Sequence, residues 1–380
     1  MSNKSGFFLE KSFLEIRRKR FPFYPAFFRM IGLFLFLIFG FVIISCSKDS
    51  ENTDPPEGTF NPTPYDLIIP QGFPTMIIPE DNPMTIEGVD LGRLLFYDPI
   101  LSCDDSQSCA DCHAPAFAFT DNGKQFSTGI DGEEGNRNSM AVINVGWMGR
   151  TFWDGRANGV EGQALGPVPN PIEMNLSWPE AMDKLNADDN YPDLFFNAFG
   201  IRKIDSLMVV KAIAQFERTL ISSNSKWDKY LRGEVQITQA EAKGFEIFFT
   251  EKGDCFHCHS TILFTDNLFH NNGLDTEFSD KGLFDVSQDP NDIGKFKSPT
   301  LRNIELTAPY MHDGRFATLE DVLEFYSHDV QFSPTIDPLM KKVEQGGIQL
   351  TDEEKENLIA FLKTLTDTTF VNNPDFADPF

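Results

Sequence analysis

Between residues 206 and 220 the apolar side chains Met208, Val209, Ala212, Ile213, Phe216 and Leu220 return at intervals of mostly three and four residues. That period lines one face of a helix, and it predicts a helix over Ser206–Leu220, broken by Ser222-Ser223-Asn224-Ser225. A second helix follows, with Thr238 as its cap and Phe245, Ile247 and Phe248 turned inward, ending near Phe249. A third covers Thr318–Tyr326, and a fourth runs from Thr351, with Glu354 in capping-box position, through Leu365. Strand-like alternation is nearly absent, and loops rich in Gly and Asn fill the rest. The expectation is a mainly α protein with long loops that need something large to pack against. The pattern divides near 224–240, which suggests one domain over 63–228 and another over 229–380.

The first residues are not part of that pattern. Basic residues Arg17, Arg18, Lys19 and Arg20 precede an apolar run over 31–45, the layout of a secretory signal. The run is short for a membrane span, and it stops at Ile43-Ile44-Ser45-Cys46. This resembles a bacterial lipobox, which makes 1–45 a signal peptide and Cys46 the lipidated first residue of the mature chain. Residues 46–62, rich in Asp, Glu, Asn, Ser and Pro, make a polar tether. The expected location is outside the cytoplasmic membrane, on the periplasmic side, held by the lipid. Beyond residue 45 the chain carries 25 basic and 55 acidic residues. Such a surface repels nucleic acid and favours a basic partner such as a small cationic cytochrome.

Two pentads carry the chemistry: Cys109-Ala110-Asp111-Cys112-His113 and Cys255-Phe256-His257-Cys258-His259. Thiols at i and i+3 lie one helical turn apart, matching the vinyl groups on a haem edge, and the next imidazole can turn onto the iron. A redox dithiol or a four-thiolate zinc site uses the same Cys spacing, but neither requires a His after both pairs. The fold class becomes two cytochrome-c-like domains, each with one covalent c-type haem, and the 38 Phe supply packing around the macrocycles. Cys103 is left as a free or partly buried thiol, and His257 is expected to face solvent or a haem propionate.

The first pentad, Phe152-Trp153-Asp154-Gly155-Arg156, the second pentad, Leu301-Arg302-Asn303 and Thr307-Ala308-Pro309-Tyr310-Met311-His312-Asp313-Gly314-Arg315 occur in that order. From about residue 70 to the C-terminus the sequence resembles the bacterial di-haem cytochrome c peroxidase and MauG family. The resemblance implies that Trp153 relays electrons between the haems. It also implies that Gln163 and Glu173, ten and twenty residues further on, face the open side of the first haem, with Pro167 walling the pocket. Independently of the family, cleaving peroxide needs a group that moves a proton between its oxygens, and a carboxylate can do this. The family further holds calcium through an Asn side chain and two backbone carbonyls, positions matched here by Asn138, Thr307 and Pro309. Oxygen ligands suit that cation. Family members often form homodimers.

Two departures from the standard peroxidase follow. No His lies between His113 and His257, so a distal His cannot block the first haem, and an open site for peroxide is expected. Met140, Met148 and Met174 are conceivable substitutes. Fourteen residues after His312, where standard members carry an axial Met and MauG a Tyr, stands Tyr326. Leu319, Val322, Leu323 and Tyr326 form one helical stripe, with His328 on the opposite side; Met311 and His328 are the competing ligands. An axial phenolate favours ferric and higher states where an axial Met raises the potential. The expected activity is reduction of hydrogen peroxide with electrons from a cytochrome or similar donor. The alternatives are a MauG-like oxidase that modifies a partner protein, and a non-catalytic electron-transfer or redox-sensing cytochrome.

Overall fold

Short polar side chains placed just ahead of apolar runs start most of the helices. Thr85 Oγ1 accepts the Gly88 N–H at 3.0 Å, Asp205 accepts that of Met208 at 3.0 Å, and reciprocal Thr–Glu boxes open two helices at Thr238/Glu241 and Thr351/Glu354. The computed structural model describes residues 60–380; the signal segment, Cys46 and nearly all of the tether lie outside the described residues. In chain order the helices are α1 (Ile86–Tyr97), α2 (Cys109–Cys112), α3 (Gly159–Ala164), α4 (Trp178–Ala187), α5 (Tyr191–Phe199), α6 (Ser206–Thr219), α7 (Lys226–Leu231), α8 (Gln239–Phe248), α9 (Phe284–Ser287), α10 (Leu319–Glu324), α11 (Asp352–Lys363) and α12 (Thr368–Val371). Two antiparallel two-residue pairs complete it: β1 (Arg150–Thr151) with β2 (Ala157–Asn158), and β3 (Phe269–His270) with β4 (Phe296–Lys297). Among the described residues no helix is long and apolar enough to cross a membrane.

The mainly helical class and long loops match expectation, and one boundary does not. The helix expected over Thr318–Tyr326 is α-helical only to Glu324; Phe325–Asp329 widen into a π turn. Such turns concentrate where a side chain must be re-aimed, and this one carries Tyr326.

The same packing device occurs in both halves. In α1, Gly92 lies so close to α6 that a Cβ there would sit 1.9 Å from the Ala212 carbonyl and 3.0 Å from Phe216 Cβ. In α8, Gly244 meets α11 the same way, 1.9 Å from the Asn357 carbonyl and 2.8 Å from Phe361 Cβ. Only glycine allows two backbones to cross that closely. Around these crossings lie separate apolar cores. One joins Leu91, Leu95, Phe195, Val209 and Ile213; the other joins Trp227, Phe248, Phe264, Leu358 and Phe361. A third cluster mixes Phe96, Phe119 and Phe216 with Phe370 and Phe376 from the C-terminal end.

The stretch where the pattern divides is braced. Asp367 accepts the N–H groups of Ser223 and Asn224 at 3.0 and 2.8 Å. In α7, Asp228 pairs with Arg302 through two 2.9 Å bonds. Burial alone would push the Asp228 carboxyl up; Arg302 and Ser225 more than offset it and hold it below the usual range.

Candidate active site

Each pentad is held by a matching set of bonds. His113 Nδ1 lies 2.9 Å from the Phe119 carbonyl and His259 Nδ1 lies 3.2 Å from that of Phe264. A carbonyl only accepts, so Nδ1 carries the proton and Nε2 keeps its lone pair. Burial holds both imidazoles below their ordinary value, with those carbonyls opposing it, so both are neutral, the form that binds a metal. Ser139 Oγ donates to the Cys112 carbonyl at 3.0 Å, and Ser298 Oγ donates to that of Cys258 at the same distance. The four thiols are free, and burial pushes Cys255 up to about 12. Free thiols three residues apart, followed by an imidazole whose Nε2 keeps its lone pair, fit a covalently attached haem at each pentad.

A cavity of about 260 Å³ lies at the second pentad and reaches residues packed around the first. Cys255, Cys258, His259 and Tyr326 line it, as do Thr120, Ser139 and Met140 from around the first pentad. Trp153 lies in the same wall. It sits on the turn between β1 and β2, and its indole N–H donates to the Asn138 carbonyl at 2.8 Å. Asn138 N–H in turn donates to the His312 carbonyl at 2.7 Å, and His312 stacks on Phe296 with ring centres 3.6 Å apart. Arg137 clamps this corner, donating to Asp154 at 2.5 Å and to both oxygens of Asp280 at 2.7 and 2.8 Å. Asn138, Thr307 and Pro309 line the cavity too. The Asn138 amide donates to the Lys124 and Gln125 carbonyls at 3.2 and 3.1 Å, which leaves Oδ1 available.

Tyr326 is half-buried and its oxygen accepts from Asn272 Nδ2 at 3.0 Å. Burial pushes its hydroxyl up to about 12, with the Asn272 bond acting the other way. Leu319, Val322 and Leu323 line the cavity alongside it, so the expected stripe survives the π turn. Met311 lines it as well, whereas His328 is exposed and bonded to Glu324 at 2.8 Å. Of the conceivable substitute methionines, Met140 and Met148 line the cavity, and Met174 is packed in the N-terminal apolar core.

Glu173 and Gln163 lie in the N-terminal half, away from the lining of that cavity. Gln163 is on α3. Glu173 is on the loop after it, which also carries Pro167, and accepts from Asn170 Nδ2 at 2.6 Å. Burial raises its carboxyl above the ordinary value, against the pull of Asn170 and Arg156. The Arg156 guanidinium lies 3.5 Å above the Phe152 ring. Cys103 is a free thiol and is exposed, so of the two expected settings, free or partly buried, the first is found. His257, expected toward solvent or a propionate, is partly exposed and sits among Asp254 at 3.1 Å, Glu251 at 3.5 Å and Lys341 at 2.9 Å.

Sequence analysis missed Asn272, Arg137 and His270. His270 is gripped between Asp266 at 2.8 Å and Asp337 at 2.7 Å. A signal was available: Phe119-Thr120-Asp121-Asn122 after the first pentad recurs as Phe264-Thr265-Asp266-Asn267 after the second. Comparing the halves for internal repetition would have marked both the carbonyls that orient the imidazoles and Asp266.

Two matched attachment turns, with a tryptophan in the wall of the cavity at the second, define the class of proteins that carry two covalently attached haems. A family description for di-haem cytochrome c peroxidase matches residues 86–236. The chain is 38% identical to the methylamine utilization protein MauG of Methylorubrum extorquens over 289 residues, 76% of this chain and 80% of that protein. It is 36% identical to the cytochrome c551 peroxidase of Nitrosomonas europaea over 309 residues, 78% and 84% of the two chains. Among solved structures, a MauG-like protein associated with microbial copper homeostasis superposes with a TM-score of 0.77 at 38% identity, covering 83% of this chain and 99% of that one. The di-haem peroxidase BthA of Burkholderia thailandensis, at 23% identity and a TM-score of 0.66 over 78% and 91% of the two chains, shares the fold. The chain belongs to the di-haem cytochrome c peroxidase family.

Proposed function

We propose that this protein reduces hydrogen peroxide to water with electrons from a small cytochrome or similar donor. The observation that carries this reading is Trp153 in the wall of one cavity reaching from the residues around His113 to those around His259. A haem bound at each pentad supplies the iron redox chemistry, and two electrons with two protons convert each peroxide into two waters. His113 and His259 hold the irons through Nε2. Glu173 takes a proton from one peroxide oxygen and returns it to the other, and Gln163 orients the molecule. A buried carboxyl with a raised value is suited to that exchange. Trp153 would pass electrons between the two haem sites, and Tyr326 together with His259 would hold the C-terminal haem. Calcium is held by Asn138 Oδ1 with the carbonyls of Thr307 and Pro309. The division into cytochrome-c-like domains over 63–228 and 229–380 is supported by the matched Gly92 and Gly244 crossings. Anchoring on the periplasmic side through Cys46 and pairing as a homodimer belong to the same reading.

Tyr326 in the second haem's cavity favours a second reading, a MauG-like oxidase that modifies a partner protein, because a phenolate ligand stabilises the higher iron states. Steady-state peroxide consumption with a reduced cytochrome tests the first reading. Turnover that Glu173→Gln sharply reduces is expected; an enzyme without turnover, or a variant as fast as the parent, removes the peroxidase assignment.

A further inference from the structure

Two candidate donors to the C-terminal haem lie within reach of one amide. Asn272 Nδ2 is 3.0 Å from Tyr326 Oη and 3.7 Å from Met311 Sδ, and all three side chains line the cavity shared with His259. A thioether sulphur has no proton to give, so the atom facing both is the amide N–H₂. The backbone on either side of Asn272 is also held in place. β3 ends at His270, whose ring is fixed between Asp266 and Asp337. The next residue, Asn271, is buried and donates to Ser333 and Thr335 at 3.0 Å each. Beyond Asn272, Gly273 donates to the Asn271 side chain at 3.0 Å, and its carbonyl accepts from Gln331 at 2.7 Å. Opposite, the Tyr326 carbonyl accepts the Ile348 N–H at 3.0 Å within the π turn.

We infer that Asn272 is a positioning residue that selects the Tyr326 oxygen over the Met311 sulphur as the axial ligand of the C-terminal haem. The physical reason is the difference between the acceptors. An N–H bond to an anionic oxygen is about twice as strong as one between neutral groups, while a thioether accepts only weakly. A fixed donor at this point therefore favours the oxygen-bound arrangement and contributes little to the sulphur-bound one. The inference rests on the reading of Tyr326 as a ligand, and its test separates the two.

The test uses the matured two-haem protein and compares Asn272→Leu, Asn272→Asp, Tyr326→Phe and Asn272→Leu/Met311→Leu. The readouts are ferric electron paramagnetic resonance, the phenolate-to-iron charge-transfer band and the reduction midpoint of each haem. Asn272→Leu is expected to weaken that band and raise the midpoint of the C-terminal haem alone. Adding Met311→Leu removes the competing sulphur and is expected to restore part of that band and bring the midpoint back toward the parent value. Asn272→Asp keeps the shape but sets an acceptor against the phenolate, so it shifts the same signals in the same direction if the leucine variant does not mature. If Tyr326→Phe changes the low-spin signal while both Asn272 variants match the parent, the role of Asn272 is wrong and Tyr326 ligation stands. A double variant indistinguishable from Asn272→Leu overturns the competition with Met311. If Tyr326→Phe leaves the low-spin haem unaltered, the ligand reading fails, and this inference with it.

Discussion

In the proposed mechanism Glu173 moves the proton between the two peroxide oxygens. A positioned acid–base group contributes roughly 10²–10⁴-fold, so Glu173→Gln is expected to lower kcat/KM for peroxide by about that factor while leaving the haem spectra unchanged. The carboxyl must be ionised to accept a proton. Burial raises its value above the ordinary 4.5, so activity falls on the acid side at a pH above that figure. Asn170 pulls the value down through its 2.6 Å bond, and Asn170→Ala is expected to move the acidic limb to higher pH. A pH profile of kcat/KM in which the limb stays put, or moves down, contradicts this. The identity of Glu173 and Gln163 was legible only through their offsets from Trp153. Nothing local marks them, because their setting is made by a loop folded against other segments.

At the scale of elements, the helices announced themselves where capping and periodicity agreed, as at Thr238 and Thr351. Replacing Thr351 with Ala removes one half of its capping box and is expected to cost about 1 kcal/mol. The close crossings behave differently. Gly92→Ala and Gly244→Ala each place a methyl 1.9 Å from a carbonyl oxygen, and forcing the helices apart costs about 1–3 kcal/mol or more. Urea unfolding of the holoprotein measures both; an unchanged midpoint in either glycine variant refutes the close-crossing account. The π turn at Phe325–Asp329 was not legible. It depends on backbone bonds from Ile348 and Gln349, far along the chain, rather than on the propensity of its own residues.

For the whole molecule, two long-range charge effects set expectations. Asp228 and Arg302 are a buried pair joining α7 to the segment after β4, and removing one partner of such a pair costs about 3–5 kcal/mol. Asp228→Asn should therefore destabilise strongly at neutral pH. Its carboxyl is depressed below the ordinary 3.8 in the folded state. The stability it contributes is present above that value and is lost as pH falls through the lower folded one; the deficit of the variant is expected to shrink in that acid range in paired pH-dependent unfolding. On the proposed reading, a net charge of -25 favours a cationic donor over a distance that salt shortens, so turnover with a basic cytochrome is expected to fall as ionic strength rises. Sequence alone determined what covalent chemistry demands of neighbours: the thiol pairs, the imidazole after each, and the Trp-Asp-Gly-Arg turn, since these are bonds and turns made within a few residues. Tertiary structure decided what those groups face. The amide between Tyr326 and Met311, and the walls of the cavity at the second centre, come from segments distant in the chain. Their meeting depends on packing, and no local pattern encodes it.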